Sequence, residues 1–98
     1  MIRIAVRSIG LGKQIPRSFQ VELEEQITLG VLMKKLVAEL GESFTQAVFP
    51  GGELSPEIIL MLNGISVLQP DVSWTTVLTD GDEVILMPLI EGGYPHAM

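Results

Sequence analysis

Apolar and charged side chains alternate through Ile2-Arg3-Ile4-Ala5-Val6-Arg7, with Ile2, Ile4 and Val6 on one side and Arg3 and Arg7 on the other. A period of two is that of a strand with one buried face. Gly10-Leu11-Gly12-Lys13 interrupts the pattern, and a second alternation runs from Phe19 through Val21 to Leu23, with Gln20, Glu22 and Glu24 turned to water. Two such strands joined by a loop containing Gly and Pro predict a hairpin.

The period then changes. Leu29, Leu32, Met33, Leu36, Val37 and Leu40 recur at spacings of three and four behind Thr28, a good N-cap, and ahead of Gly41, a residue suited to a left-handed C-cap. A helix from Thr28 to Leu40 follows. Gly30 in its first turn costs about 1 kcal/mol relative to Ala, or marks close backbone approach to the sheet. Phe44, Ala47 and Val48 predict a short second helix, stopped by Phe49-Pro50-Gly51-Gly52.

Glu57 to Leu62 is almost continuously apolar, which predicts a central strand covered on both faces. Asn63-Gly64 is the sequence of a type I′ hairpin turn, since both central residues need positive φ. Ile65-Ser66-Val67-Leu68 is the expected return strand, and Trp74 the expected lid over one end of the core. Asp80-Gly81-Asp82 forms a further turn, and Glu83 to Pro88 the last strand. The sequence closes on Leu89-Ile90-Glu91-Gly92-Gly93 and five more residues. The elements run as two strands, a helix, a short helical segment, and three strands or strand fragments, with no internal repeat.

A chain of 98 residues is one domain with room for one modest core, and 47% hydrophobic residues argue for a compact fold rather than disorder. The longest apolar runs, Ile58-Ile59-Leu60-Met61-Leu62 and Val84-Ile85-Leu86-Met87, fall far short of the ~18 residues a membrane-spanning helix requires. The N-terminus lacks the uninterrupted apolar segment of a signal peptide, so a cytoplasmic location is expected. Without cysteine there is no disulfide, thiolate metal site or thiol nucleophile.

Net charge −6 argues against a nucleic-acid or anionic-membrane partner. All six basic residues (Arg3, Arg7, Lys13, Arg17, Lys34, Lys35) precede position 36. Three acids (Glu22, Glu24, Glu25) precede it too, and the other nine of the twelve follow. The acidic second half is either a solvated surface or a complement to a basic partner.

Chemistry has few places to reside. No nucleophile–base pair, phosphate-binding glycine loop or metal-ligand spacing occurs, and Gly10-Leu11-Gly12 lacks the third glycine of a dinucleotide fingerprint. His96, the only histidine, has no partner with which to form a metal site or a general base. Neither a catalytic residue nor a cofactor is expected. Gly92-Gly93 reads as an ordinary flexible terminus or as a thin peptide built to enter a narrow partner site. Asp80, Asp82 and Glu83 read as a solvated turn or as an electrostatic docking patch. Leu89, Ile90 and Glu91 flank the tail, while Met87 is expected in the core.

The element order, taken with Asn63-Gly64, Leu78-Thr79-Asp80-Gly81-Asp82-Glu83-Val84 and Pro88 to Gly93, resembles the ThiS/MoaD family of ubiquitin-like sulfur carriers. The resemblance implies an α+β fold, the ubiquitin-like β-grasp. In it a mixed four- to five-stranded sheet packs on one main helix, with the first and last strands adjacent and parallel. It also implies a function. The carboxylate of the second glycine, here Gly93 with Gly92 beside it, is adenylated by an activating enzyme and converted to a thiocarboxylate. That group donates sulfur in molybdopterin or thiamine-type cofactor biosynthesis.

The departure is Tyr94-Pro95-His96-Ala97-Met98, since family members end at the second glycine and a blocked carboxylate cannot be adenylated. The division expected is a β-grasp domain over 1–93 and an extension over 94–98. The extension is removed by a processing protease, is an appended sequence, or belongs to a domain that has given up sulfur carriage. In the last case the chain is a non-conjugating β-grasp protein-interaction module.

Overall fold

The computed structural model describes residues 1–67 and 74–89. In chain order the elements are β1 (Ile2–Ser8), β2 (Ser18–Leu23), α1 (Leu29–Val48), a 3-10 turn (Pro50–Gly52), β3 (Ile58–Leu62), β4 (Ile65–Ser66) and β5 (Glu83–Pro88). The sheet has five strands in the order β2-β1-β5-β3-β4. The β1–β5 pair is parallel and the other three pairs are antiparallel. This is the arrangement expected of a β-grasp domain, with β5 at the centre.

One face of the sheet carries the core. Ile4 and Val6 of β1, Leu60 of β3, and Val84 and Leu86 of β5 are almost fully buried, facing Leu29, Leu32, Leu36, Phe44 and Val48 of α1. Each such side chain contributes about 1.5–3 kcal/mol relative to an exposed one. Ile15, in the loop between β1 and β2, is also buried, although the alternation around it carried no sign of this.

The helix starts at Thr28, whose hydroxyl accepts from the Val31 N–H at 3.2 Å. Two further N–H groups of its first turn, which lack intrahelical partners, are taken up by the segment before β5. Leu29 donates to the Thr76 carbonyl and Gly30 to that of Trp74, both at 2.9 Å. Gly30 therefore marks close approach to Trp74, not to the sheet: a Cβ there would lie 3.2 Å from the Trp74 carbonyl oxygen.

At Gly41 the backbone takes φ 81°, ψ −158°, outside the left-handed helical region expected of a C-cap. This region belongs almost wholly to glycine, and it lets the helix break and resume at once. The expected second helix is thus the continuation of the first, burying Phe44 and Val48.

Two further expectations change. β3 lies one strand from the edge and is covered on one face only: Ile58, Leu60 and Leu62 are buried, while Ile59 and Met61 are half-buried on the outer side. Its apolar run reflects an apolar outer surface, not double burial. Trp74 is 40% exposed and stacks beside Phe49 (ring centroids 6.2 Å apart) rather than closing the core. The return strand is short, Ile65–Ser66, with Val67 adding one bond to the Leu60 carbonyl; Leu68 lies outside the described residues.

Candidate functional site

The candidate site is the strand β5 and what adjoins its two ends. At its start, Asp82 accepts from the Thr79 N–H (2.8 Å) and hydroxyl (3.2 Å), and Asp80 accepts from the Arg3 N–H (2.8 Å). The Gly81 N–H returns to the Arg3 carbonyl, so the turn clamps onto the first residues of β1. Asn63 joins the same cluster from the β3–β4 turn. Its side-chain amide donates to Asp82 at 3.0 Å, and its side-chain carbonyl accepts from the Glu83 N–H at 2.9 Å. Both Asn63 (φ 53°) and Gly64 (φ 86°) take the positive φ of a type I′ turn.

The two aspartates thus have architectural work: they fix where β5 begins. Asp80 is exposed, while Asp82 and Glu83 are half-buried, Glu83 lying 3.7 Å from Arg7. An exposed pair of this kind is worth about 0–1 kcal/mol.

At the other end Pro88 pairs with Ile58 on one side and touches Gly10 on the other, where a Cβ would come within 3.4 Å of the proline ring. The Leu89 N–H donates to the Glu57 carbonyl at 2.6 Å. The chain is therefore held as far as Leu89, which is 38% exposed. Ile90, Glu91, Gly92 and Gly93, together with 94–98, lie outside the described residues.

Of the residues expected to meet a partner, those described stand at the two ends of β5: Asp80, Asp82 and Glu83 at its start and Leu89 at its finish. Seven residues separate Asp82 from Leu89 along an extended strand, about 20 Å at its usual rise. What joins the two ends is the outer face of the sheet, where Glu83, Ile85 and Met87 of β5 share one side. Met87 stands opposite Ile59 and Ile85 opposite Met61, with Arg7 beside Ile85. Ile59, Met61, Ile85 and Met87 are all half-buried, so Met87 belongs to this outer patch and not to the core. The patch was missed in the sequence although a signal existed: Ile59 and Met61 are apolar at positions that a one-sided strand would leave polar.

Among the described residues no group of three or more His, Cys, Asp or Glu could hold a metal ion, and no helix is long and apolar enough to cross a membrane.

Comparison with known proteins agrees with this geometry. Residues 12–93 match the sequence model of the ThiS family. Comparison with curated protein sequences finds no match. Among solved structures, small archaeal modifier protein 1 from Haloferax volcanii superposes with a TM-score of 0.73 at 23% identity, over 93% of this chain and 99% of its own. The candidate molybdopterin converting factor subunit 1 from Pyrococcus furiosus gives 0.69 at 24% identity, over 92% and 100%. A complex of subunits 1 and 2 of molybdopterin-converting factor from Helicobacter pylori gives 0.60 at 22%, over 94% and 100%. Likeness at these identities establishes the fold.

Proposed function

Because the chain belongs to the ThiS family, we propose that it is a sulfur carrier acting through the carboxylate of Gly93, freed by removal of residues 94–98. The observation that carries this reading is that the family match ends at Gly93, four residues beyond Leu89, whose N–H is bonded to the Glu57 carbonyl at the end of the central strand. The matched segment closes on Gly92 and Gly93, two residues without side chains.

The chemistry requires three steps. Hydrolysis of the Gly93–Tyr94 peptide bond consumes one water and exposes the carboxylate. That carboxylate attacks the α-phosphate of ATP on an activating enzyme, releasing pyrophosphate and leaving an acyl adenylate. Hydrosulfide supplied by the partner then attacks the acyl carbon, forming the C–S bond as the bond to AMP breaks, and leaves the thiocarboxylate, AMP and a proton. No group in this chain other than the tail has to take part, so the protein is a substrate of its partners rather than a catalyst.

The outer sheet face, Ile59, Met61, Ile85 and Met87, is the docking surface for the activating enzyme. It is apolar, lies at the base of the tail, and is flanked by the Arg7–Glu83 pair, which sets orientation more than affinity. A cofactor-synthesis enzyme of molybdopterin or thiamine type takes the loaded carrier afterwards. The association of subunits 1 and 2 in the Helicobacter pylori complex supports a partner of this kind. The cytoplasm, where ATP is available, is the expected compartment.

Intact mass of the protein isolated from its own cells tests the reading. A species ending at Gly93 and bearing the oxygen-to-sulfur mass increase is expected; finding only the full-length chain would refute it and leave a β-grasp interaction module.

A further inference from the structure

The loop joining β1 to β2 lacks the third glycine of a dinucleotide fingerprint, yet it surrounds an open concavity of about 490 Å³. Ser8, Gly10, Gly12, Lys13, Ile15 and Arg17 are among the residues that line it, and no acidic side chain among the described residues does. The loop is pinned at several points. The Ser8 N–H donates to the Arg17 carbonyl and the Ile9 N–H to that of Leu86, both at 2.8 Å, while Ile15 is buried in the core and its N–H reaches the Gly12 carbonyl at 3.4 Å. Gly12 takes φ 111°, and a Cβ there would meet nothing within 4 Å, so that wall of the concavity stays open.

Two independent observations point to a ligand. The first is Ser8, which is 2% exposed, stands on the core side of β1 with Ile4 and Val6, and has a hydroxyl with no hydrogen-bond partner among the described residues. A buried hydroxyl left unpaired is disfavoured, and an apolar side chain would suit the position better. The second is charge. Arg3 and Arg7 lie 3.4 and 3.7 Å from Glu22 and Glu83, whereas Lys13 and Arg17 form no ion pair among the described residues. An unpaired hydroxyl and two uncompensated cations lining one concavity are the donor set of an oxyanion site, two charge-assisted donors and one neutral donor.

We propose that this concavity binds the phosphate group of a small molecule, free or carried by a nucleotide, with the Ser8 hydroxyl donating to one oxygen and Lys13 and Arg17 neutralising the charge. Lys13 and Arg17 alone would be two cations on an exposed loop; the buried hydroxyl is what turns them into a site that takes the anion in. Occupancy is felt at the end of β5, because Ile9 is bonded to Leu86 and Gly10 lies against Pro88. The inference does not rest on sulfur carriage.

Titrating the isotope-labelled full chain with inorganic phosphate and following its amide resonances by NMR tests this. Saturable shifts at Ser8, Gly10, Gly12 and Lys13 are expected, with a Kd of about 1 mM or below, and none with chloride at equal ionic strength. Ser8→Ala should weaken binding about tenfold, as the loss of one hydrogen bond to a charged group does. Because it deletes an unpartnered hydroxyl, it should not lower the thermal midpoint. Arg17→Gln, on the exposed loop, should weaken binding and reduce its salt dependence, whereas Lys34→Gln, on α1, should change neither. A parallel titration with ATP identifies the source: equal or weaker binding assigns free phosphate, and tighter binding with the same amides shifted assigns a nucleotide. Shifts that do not saturate, equal shifts with chloride, or a Ser8→Ala protein that binds phosphate as tightly as the parent overturn the proposal. An effect of Lys34→Gln as large as that of Arg17→Gln overturns it equally, since the anion would then be responding to surface charge in general.

Discussion

Replacing Asn63 tests how the β3–β4 turn and the start of β5 are joined. The residue has two separable jobs. Its backbone stands at φ 53°, and its side chain makes one bond to Asp82 and one to the Glu83 N–H. Asn63→Gly keeps the first and deletes the second. Both bonds are exposed, so each is worth about 0.5 kcal/mol, the low end of the usual range. The added freedom of glycine in the unfolded chain costs about 0.5 kcal/mol more.

A loss of about 1.5 kcal/mol is therefore expected for Asn63→Gly. Asn63→Ala loses the same bonds and also places a Cβ residue at positive φ, which adds about 1 kcal/mol. Asn63→Asp tolerates the backbone and retains the acceptor for Glu83, but sets a second carboxylate against Asp82. Its loss should shrink as salt is added. Urea denaturation measures all three, and for a domain of this size each kcal/mol lowers the thermal midpoint by about 4–8 °C. The order expected is Ala worse than Gly, with Asp alone sensitive to salt. Equal losses for Ala and Gly would show that the positive φ is not maintained in solution. A neutral Asn63→Gly would show that the side-chain bonds contribute nothing.

Two further outcomes follow from the same geometry. Gly41→Ala should destabilise the protein by about 1–3 kcal/mol despite alanine's better helix propensity. Nothing crowds a Cβ there, so the loss comes from the backbone conformation alone, and calorimetry reads it. Under the proposed function, Ile85→Glu, on the outer face opposite Met61, should leave the far-ultraviolet circular dichroism spectrum unchanged and abolish binding to the proposed activating enzyme. Retained affinity in a titration would place the docking surface elsewhere.

Much of the fold was legible in the chain because its determinants are local. The alternation of Ile2, Ile4 and Val6, the three-and-four spacing from Leu29 to Leu40, and Asn63-Gly64 each state a backbone geometry within a few residues. The resemblance to a family supplied the parallel pairing of the first and last strands, which periodicity alone does not hold. Sequence also pointed to Gly92-Gly93, since no other residues offer chemistry, although the tail itself lies outside the described residues.

Tertiary structure decided whatever depended on partners far along the chain. Asp80 and Asp82 look like surface charge in sequence, yet they clamp β5 to Arg3 and Asn63, which are 77 and 19 residues away. An apolar β3 fits a strand buried on both faces or one with an apolar outer surface equally well. Only the placement of α1 on a single side of the sheet distinguishes them, leaving Ile59 and Met61 beside Ile85 and Met87. Gly30 and Trp74 follow the same logic: close approach was readable from a glycine in a helix, but what approaches was not, because a missing side chain records that space is needed and not which backbone fills it.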